Sequence, residues 1–219
     1  GITGIISQSG SGSITVTGLT NGTAYTFTVT ATNAIGTSAA SAASNSVVPM
    51  VPEVGEFYQG GIVFYIFESG DTGYIAGETH GLIAAVQDQS SGIRWYNGSY
   101  DTTGATGTAI GTGATNTTTI ISEQGATETS YAAGLARAYT GGGYTDWFLP
   151  SKDELIQMYT NKATINTTAS ANGGSDFFGI YWSSTEIVNN YAWFQDFNDG
   201  GQGISRKVNT HFVRAVRAF

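Results

Sequence analysis

The chain has 219 residues, of which 40% are hydrophobic and 12% aromatic, but only 11% charged. One or two packed domains are within reach, and the supply of aromatic and β-branched residues excludes a disordered chain. A formal net charge of -8, eight basic residues and no cysteine exclude a nucleic-acid footprint, a polybasic membrane patch, disulfides and thiolate chemistry.

Gly, Ser, Thr and Asn replace the missing charge, a balance that fits a β-rich extracellular surface protein. No apolar run reaches the ~18 residues that span a bilayer. The chain opens inside a structural pattern, so an export signal is expected upstream. Residues 1–48 carry no charge at all. Ser13–Thr17 alternates as a half-buried strand should, and Tyr25-Thr26-Phe27-Thr28-Val29-Thr30-Ala31 alternates again. Thr20-Asn21-Gly22-Thr23 between them is turn chemistry. Pro49 and Pro52 then make a stiff junction, which sets the expected organisation as residues 1–49, a linker at 50–54 and a second domain at 55–219.

After the junction, Gly61–Phe67 reads as a buried strand, followed by strands at Gly73–Ala76 and Gly81–Val86. Residues 102–119 are dense in Gly, Thr and Ala and read as a long surface excursion. Two or three helices follow. Asn116 is the expected cap of one that runs through Ile120 and Glu123. Ser130–Ala138 is a second, stopped by Gly141-Gly142-Gly143. The third begins at Ser151, where Ser151 and Glu154 form a capping box and the acids sit in the first turn. Ile180–Ser184 and Tyr191–Phe197 are strands, Asn198-Asp199-Gly200-Gly201 is a hairpin turn, and Phe212–Phe219 closes the chain. The order is strands, helices, strands, an α+β pattern.

Two resemblances follow from these residues. Leu19, Gly22-Thr23-x-Tyr25, Asn33 and Gly36 look like a tyrosine corner and the last strands of a fibronectin type III domain, an all-β immunoglobulin-like sandwich. That match covers only the C-terminal part of such a sandwich. The expectation is a fragment with further repeats upstream, or strands supplied by a partner. In the second domain, Gly60-Gly61-Ile62-Val63-Phe64, His80-Gly81-Leu82-Ile83-Ala84, Gly143-Tyr144-x-Asp146-Trp147-x-Leu149-Pro150-Ser151, Tyr181-Trp182-Ser183-Ser184-Thr185-Glu186 and Val213-Arg214-Ala215-Val216-Arg217 occur in this order. Together they resemble the Lcl C-terminal family. The resemblance implies a C-type-lectin-like fold, antiparallel sheets with two or three short helices, and a place at the tip of a bacterial surface adhesin or fibre.

Trp147 and Trp182 are read as core. Asp146 is read as an anchor for the nearby helix end. The basic cluster Arg206, Lys207, Arg214 and Arg217 is read as ion pairing. The sugar-binding calcium loops of C-type lectins have no counterpart here. Asp196, Asn198 and Asp199 are the best local calcium ligands, but a plain turn explains them better, so no cofactor is expected. With His80 and His211 the only histidines, no nucleophile–base–acid set is suggested by spacing, and no enzyme is expected. The binding stretch is Asn189 to His211. Its candidates are Asn189, Asn190, Tyr191, Phe194, Asp196, Asn198, Gln202, Lys207, Asn209 and His211, with Trp193 and Phe197 turned to the core. Exposed aromatics beside amides grip sugars and protein epitopes, so the expected partner is a glycan or a cell-surface protein. The alternatives are a filament subunit completed by partner strands, by self-association or by a fibre protein, and, last, a hydrolase.

Overall fold

The computed structural model describes residues 16, 18–125 and 130–219. The chain divides into two compact units, Gly1–Val51 and Pro52–Phe219, with the boundary beside Pro52. The strand expected at Ser13–Thr17 lies almost wholly outside the described residues.

In the first unit, Tyr25–Ala31 runs against Ser38–Val47. The two stretches keep different step lengths. Ser44, Ser41 and Ser38 donate their N–H to the carbonyls of Phe27, Val29 and Ala31 at 2.8, 2.9 and 2.8 Å. One side thus advances by three residues while the other advances by two, a succession of bulges. Each serine hydroxyl supplies the acceptor that the mismatch removes, taking the N–H of Phe27, Val29 and Ala31 at 3.0, 3.1 and 3.0 Å. Asn33 closes the turn by accepting from the N–H of Ile35 and Gly36. The Tyr25 hydroxyl accepts from the N–H of Thr20 at 3.0 Å.

The second unit is a mixed α+β fold of four helices and two sheets. The first sheet has the order β1-β2-β3-β9, formed by Phe57–Tyr58, Gly61–Ile66, Gly81–Ala85 and Val216–Ala218. The second has the order β4-β8-β5-β6-β7, formed by Ser90–Arg94, Thr210–Val213, Ile180–Val188, Tyr191–Asp196 and Gln202–Arg206. All pairings are antiparallel except β5 with β8, which meet in parallel at Tyr181 and Phe212. The helices are α1 (Gly113–Gln124), α2 (Ala132–Ala138), α3 (Lys152–Thr160) and α4 (Lys162–Ala171).

The first sheet separates two cores, because successive strand residues point to opposite faces. Val63, Ile83 and Ala85 pack with Trp95, Ile120, Ala133, Trp147 and Trp182. Ile62, Phe64, Leu82 and Ala84 pack with Phe148, Leu155, Met158, Ile165, Tyr181 and Phe197. Three of the four tryptophans, Trp95, Trp147 and Trp182, are fully buried and each of these indole N–H groups donates to a main-chain carbonyl. One close approach demands glycine. Gly60 (φ 85°) lies against Gly142 (φ 67°), and a Cβ on Gly60 would stand 2.5 Å from the Gly142 Cα.

Several sequence expectations need correction. Gly73–Ala76 is a loop, with Tyr74 and Ile75 exposed. Residues 102–119 are not a surface excursion. Thr103, Ala105 and Ile110 are buried, and α1 begins at Gly113. Asn116 is inside α1 and not its cap. Its buried side chain accepts from the Gly107 N–H and donates to the Gly107 carbonyl. Asp146 pairs with Arg217 on β9 and does not anchor a helix end. Phe212–Phe219 is two strands in two sheets, broken at Arg214-Ala215. The capping box at Ser151 is present in both directions.

Candidate functional site

The ten candidate residues lie on or beside the β6–β7 ribbon, and the fold divides them between its two ends. At one end, Val188 pairs with Tyr191, Tyr191 pairs with Arg206, and the Lys207 N–H donates to the Asn190 carbonyl at 3.0 Å. This brings Asn189, Asn190, Tyr191 and Asn209 to one strand end. Around them Ile187, Val188, Ile204 and Val208 are exposed, with Ile204 at 50%.

At the other end the side chains are occupied by the turn itself. The Asp196 carboxylate accepts from the Asn198 N–H at 2.8 Å, and Asp199 accepts from Gly201 N–H at 2.8 Å. Asn198 accepts from the Gly179 N–H, and Gln202 donates to the Lys152 carbonyl. Among the described residues, no group of three or more His, Asp or Glu side chains could hold a metal ion.

Alternation also differs from expectation. Gln195 and Phe197 are buried, but Trp193 is only half-buried, with the Lys152 ammonium 5.1 Å from its ring centre. Phe194 is half-buried against the core, paired in register with Trp182 on β5. Every residue of β6 is at least half-buried, so neither alternating set of that strand is fully exposed. The Gln195 amide oxygen is the one buried side-chain polar atom without a hydrogen-bond partner among the described residues.

Lys207, read from sequence as a ligand contact, is fully buried. Its ammonium pairs with the Glu186 carboxylate and lies 4.2 Å from the Trp95 ring centre. The other Glu186 oxygen accepts from the N–H groups of Thr103 and Gly104 at 2.9 and 2.8 Å. Burial pushes the Glu186 carboxyl up, but Lys207 and those two amides outweigh it and hold it below its ordinary value. Burial pulls the Lys207 ammonium pKa down against the opposing pull of Glu186. Arg214 with Asp88 and Arg217 with Asp146 complete the ion pairing of this basic cluster, leaving Arg206 exposed.

One contact escaped the sequence reading. His211 Nε2 lies 2.9 Å from the Ser205 hydroxyl, and the Asn209 amide donates to the same oxygen at 3.0 Å. The ring packs against Trp182 at 4.3 Å and Phe194 at 5.8 Å. Burial pulls the His211 pKa down, so the imidazole is neutral at pH 7. A serine and a histidine six residues apart across a turn carry no motif, so only the β7–β8 connection makes them neighbours. His80 is held differently, by Glu78 at 2.8 Å and the Phe219 carbonyl at 3.0 Å. The Glu78 hydrogen bond raises its pKa against a weaker effect of burial.

The described helices and strands thus define an α+β domain in which Lys207, Arg214 and Arg217 are paired with carboxylates and one strand end groups exposed aliphatic and amide side chains. Among the described residues, no helix is long and apolar enough to cross a membrane. The chain belongs to the Lcl C-terminal domain family, which matches residues 84–217, more than half of its length. Gly60–Phe64 precedes the matched span and His80–Ala84 straddles its start, while the three later motifs fall inside it. No curated protein matches the chain.

Proposed function

We propose that the second unit is a non-catalytic binding or adhesion module, displayed outside the cell at the tip of a bacterial surface protein or fibre. Its ligand is a glycan or a cell-surface protein. The observation that carries this reading is the strand end where exposed Ile187, Val188, Ile204 and Val208 stand beside Asn189, Asn190, Tyr191 and Asn209. Apolar contact area next to adaptable amides is what a recognition surface needs, and a cluster of exposed aliphatic residues has a cost that function must offset. The finer fold reading belongs with it. Two sheets joined by short helices, with the last strand returned beside β3, support a C-type-lectin-like domain. The Tyr25–Thr20 contact and the paired stretch behind it support the end of a fibronectin type III sandwich.

The test is a glycan array and cell-binding assay on the wild type and on Tyr191→Ser with Val208→Ser, with and without chelator. Loss of binding at an unchanged melting temperature is expected, and chelator is expected to change nothing. Undiminished binding by the double variant would reject the surface.

A hydrolase is the second reading, and the Ser205–His211 contact is what favours it. A nucleophile needs a base that is itself oriented, and an open path to substrate. Ser205 is 8% exposed, and the Asn209 amide donates to the oxygen that would attack. A short-chain ester screen of the wild type and Ser205→Ala is expected to give the same background rate. A rate that falls in the variant would revive this reading.

A further inference from the structure

A cleft of about 310 Å³ opens away from the β6–β7 ribbon, between the β3–β4 connection and the end of α2. Gln87, Asp88 and Gln89 form one wall, and Leu135, Ala138 and Tyr139 form the other. We propose that this cleft is a subsite for one uncharged sugar residue, stacked on the Tyr139 ring and hydrogen-bonded by Asp88 and the Gln87 amide. The inference rests on reading the domain as a binding module, but not on the strand-end surface.

The polar wall is fixed before any ligand arrives. The Asp88 carboxylate accepts from Arg214 Nε at 2.6 Å and from the Tyr181 hydroxyl at 3.0 Å. Arg214 is itself locked, with its guanidinium 4.3 Å from the Phe177 ring centre and donating to the Ser175 carbonyl at 3.0 Å. Gln89 is held at both ends, accepting from the Ala215 N–H and donating to the Gln87 carbonyl. Each Asp88 oxygen uses one of its two acceptor positions within the protein and keeps the other. The exposed Gln87 side chain makes no hydrogen bond among the described residues. The apolar wall is equally set, because Tyr139 meets Trp147 edge to face at 5.0 Å.

This pairing of walls selects a ligand class. A carboxylate offers acceptors only, so the ligand must bring O–H or N–H donors. Its negative charge repels an acidic sugar or a phosphate. The adjacent Arg214 offsets part of that charge, so a free cation gains little over water. A hydroxyl-rich, uncharged ring with an apolar face satisfies both walls. The volume lies at the low end of ligand sites, about 300–1,000 Å³, which suits one sugar ring and not a longer acyl or peptide group.

Saturation-transfer NMR on the full chain tests this, using methyl glycosides of glucose, galactose, mannose and N-acetylglucosamine, with glucuronate as the charged control. A saturable signal in the millimolar range is expected from at least one neutral glycoside and none from glucuronate. Ala138→Trp, at the exposed end of α2, fills the cleft and is expected to abolish the signal. Gln87→Ala removes one hydrogen-bonding group and is expected to weaken binding about three- to tenfold. Tyr191→Ser with Val208→Ser leaves the signal intact, so failure of the strand-end surface is read separately. No saturable signal from any neutral glycoside, a signal indifferent to Ala138→Trp, or one lost in the strand-end variant would each overturn the proposal.

Discussion

Glu154 and Glu186 are two buried carboxylates that hold the same wandering segment from opposite ends, yet their electrostatic surroundings differ in sign. Glu186 gathers the N–H groups of Thr103 and Gly104 and is paired with Lys207. Glu154 gathers the N–H groups of Gly111, Gly113 and Ser151 at 2.9, 3.2 and 2.7 Å, and so ties the start of α1 to the start of α3. Among the described residues no cation stands beside it. Burial pushes the Glu154 carboxyl up to about 7 in spite of its three amide donors, with Asp153 adding to the rise. Residues 102–113 have few apolar side chains to bury, so backbone amides caught by carboxylates do the work that packing does elsewhere.

The largest effect expected from this comparison is at Lys207. Removing one member of a buried pair leaves an uncompensated charge, at a cost of about 3–5 kcal/mol. Lys207→Ala should therefore lower the denaturant midpoint sharply with little change in slope. Lys207→Met with Glu186→Gln should recover much of the loss. A single Lys207→Ala variant as stable as wild type would show that the pair is not ionised.

Next is pH. Because the folded pKa of Glu154 lies above its ordinary value of 4.5, the folded state holds this proton more tightly. Its stabilising contribution is whole below pH 4.5 and declines as pH rises to about 7, after which the penalty is constant. The full change is about 3 kcal/mol. Glu186 has the opposite slope, since its lowered pKa gives stability above the carboxylate range that is lost on acidification. Thermal melts between pH 4 and 8 should show a decline toward neutrality that Glu154→Gln flattens. A decline unchanged in that variant would remove Glu154 as its source.

A smaller effect is expected at Gly113. A Cβ there would stand 2.3 Å from a Glu154 oxygen and 2.9 Å from Phe148, so something must move. Gly113→Ala should cost about 1–3 kcal/mol, with α1 the first element to lose amide protection in hydrogen exchange.

These two clamps mark the limit of what the sequence discloses. The local half of Glu154 was legible, because Ser151-x-x-Glu154 is a contiguous signal with one physical meaning. Its reach to Gly111 and Gly113, some forty residues back, has no local signature. Strand cores were legible wherever apolar runs met turn residues, as at Gly61–Ile66 and Gly81–Ala85. Helix α4 was missed because its ten residues, KATINTTASA, bury only Ile165 and Ala169 and show no amphipathic stripe. Lys207 was misread because a lysine in a polar stretch looks exposed, and its partner Glu186 lies in a different strand. The serines at 38, 41 and 44 were legible as composition only, since their role appears when the facing stretch is seen to step by two.

The finest test of the comparison is Asp153. Its carboxylate forms a partly exposed pair with the Lys152 ammonium at 3.1 Å, a contact of about 0–1 kcal/mol, so replacing it should hardly change stability at neutral pH. Asp153 also helps raise the Glu154 pKa through like charge. Asp153→Asn should therefore move the pH-dependent decline to lower pH while leaving its Lys207–Glu186 counterpart on the acid side unmoved. A shift confined to Glu154 would show that the two clamps titrate independently although they hold one segment. A shift of both limbs would mean that residues 102–113 couple them, and that the loop transmits protonation from α3 to β5.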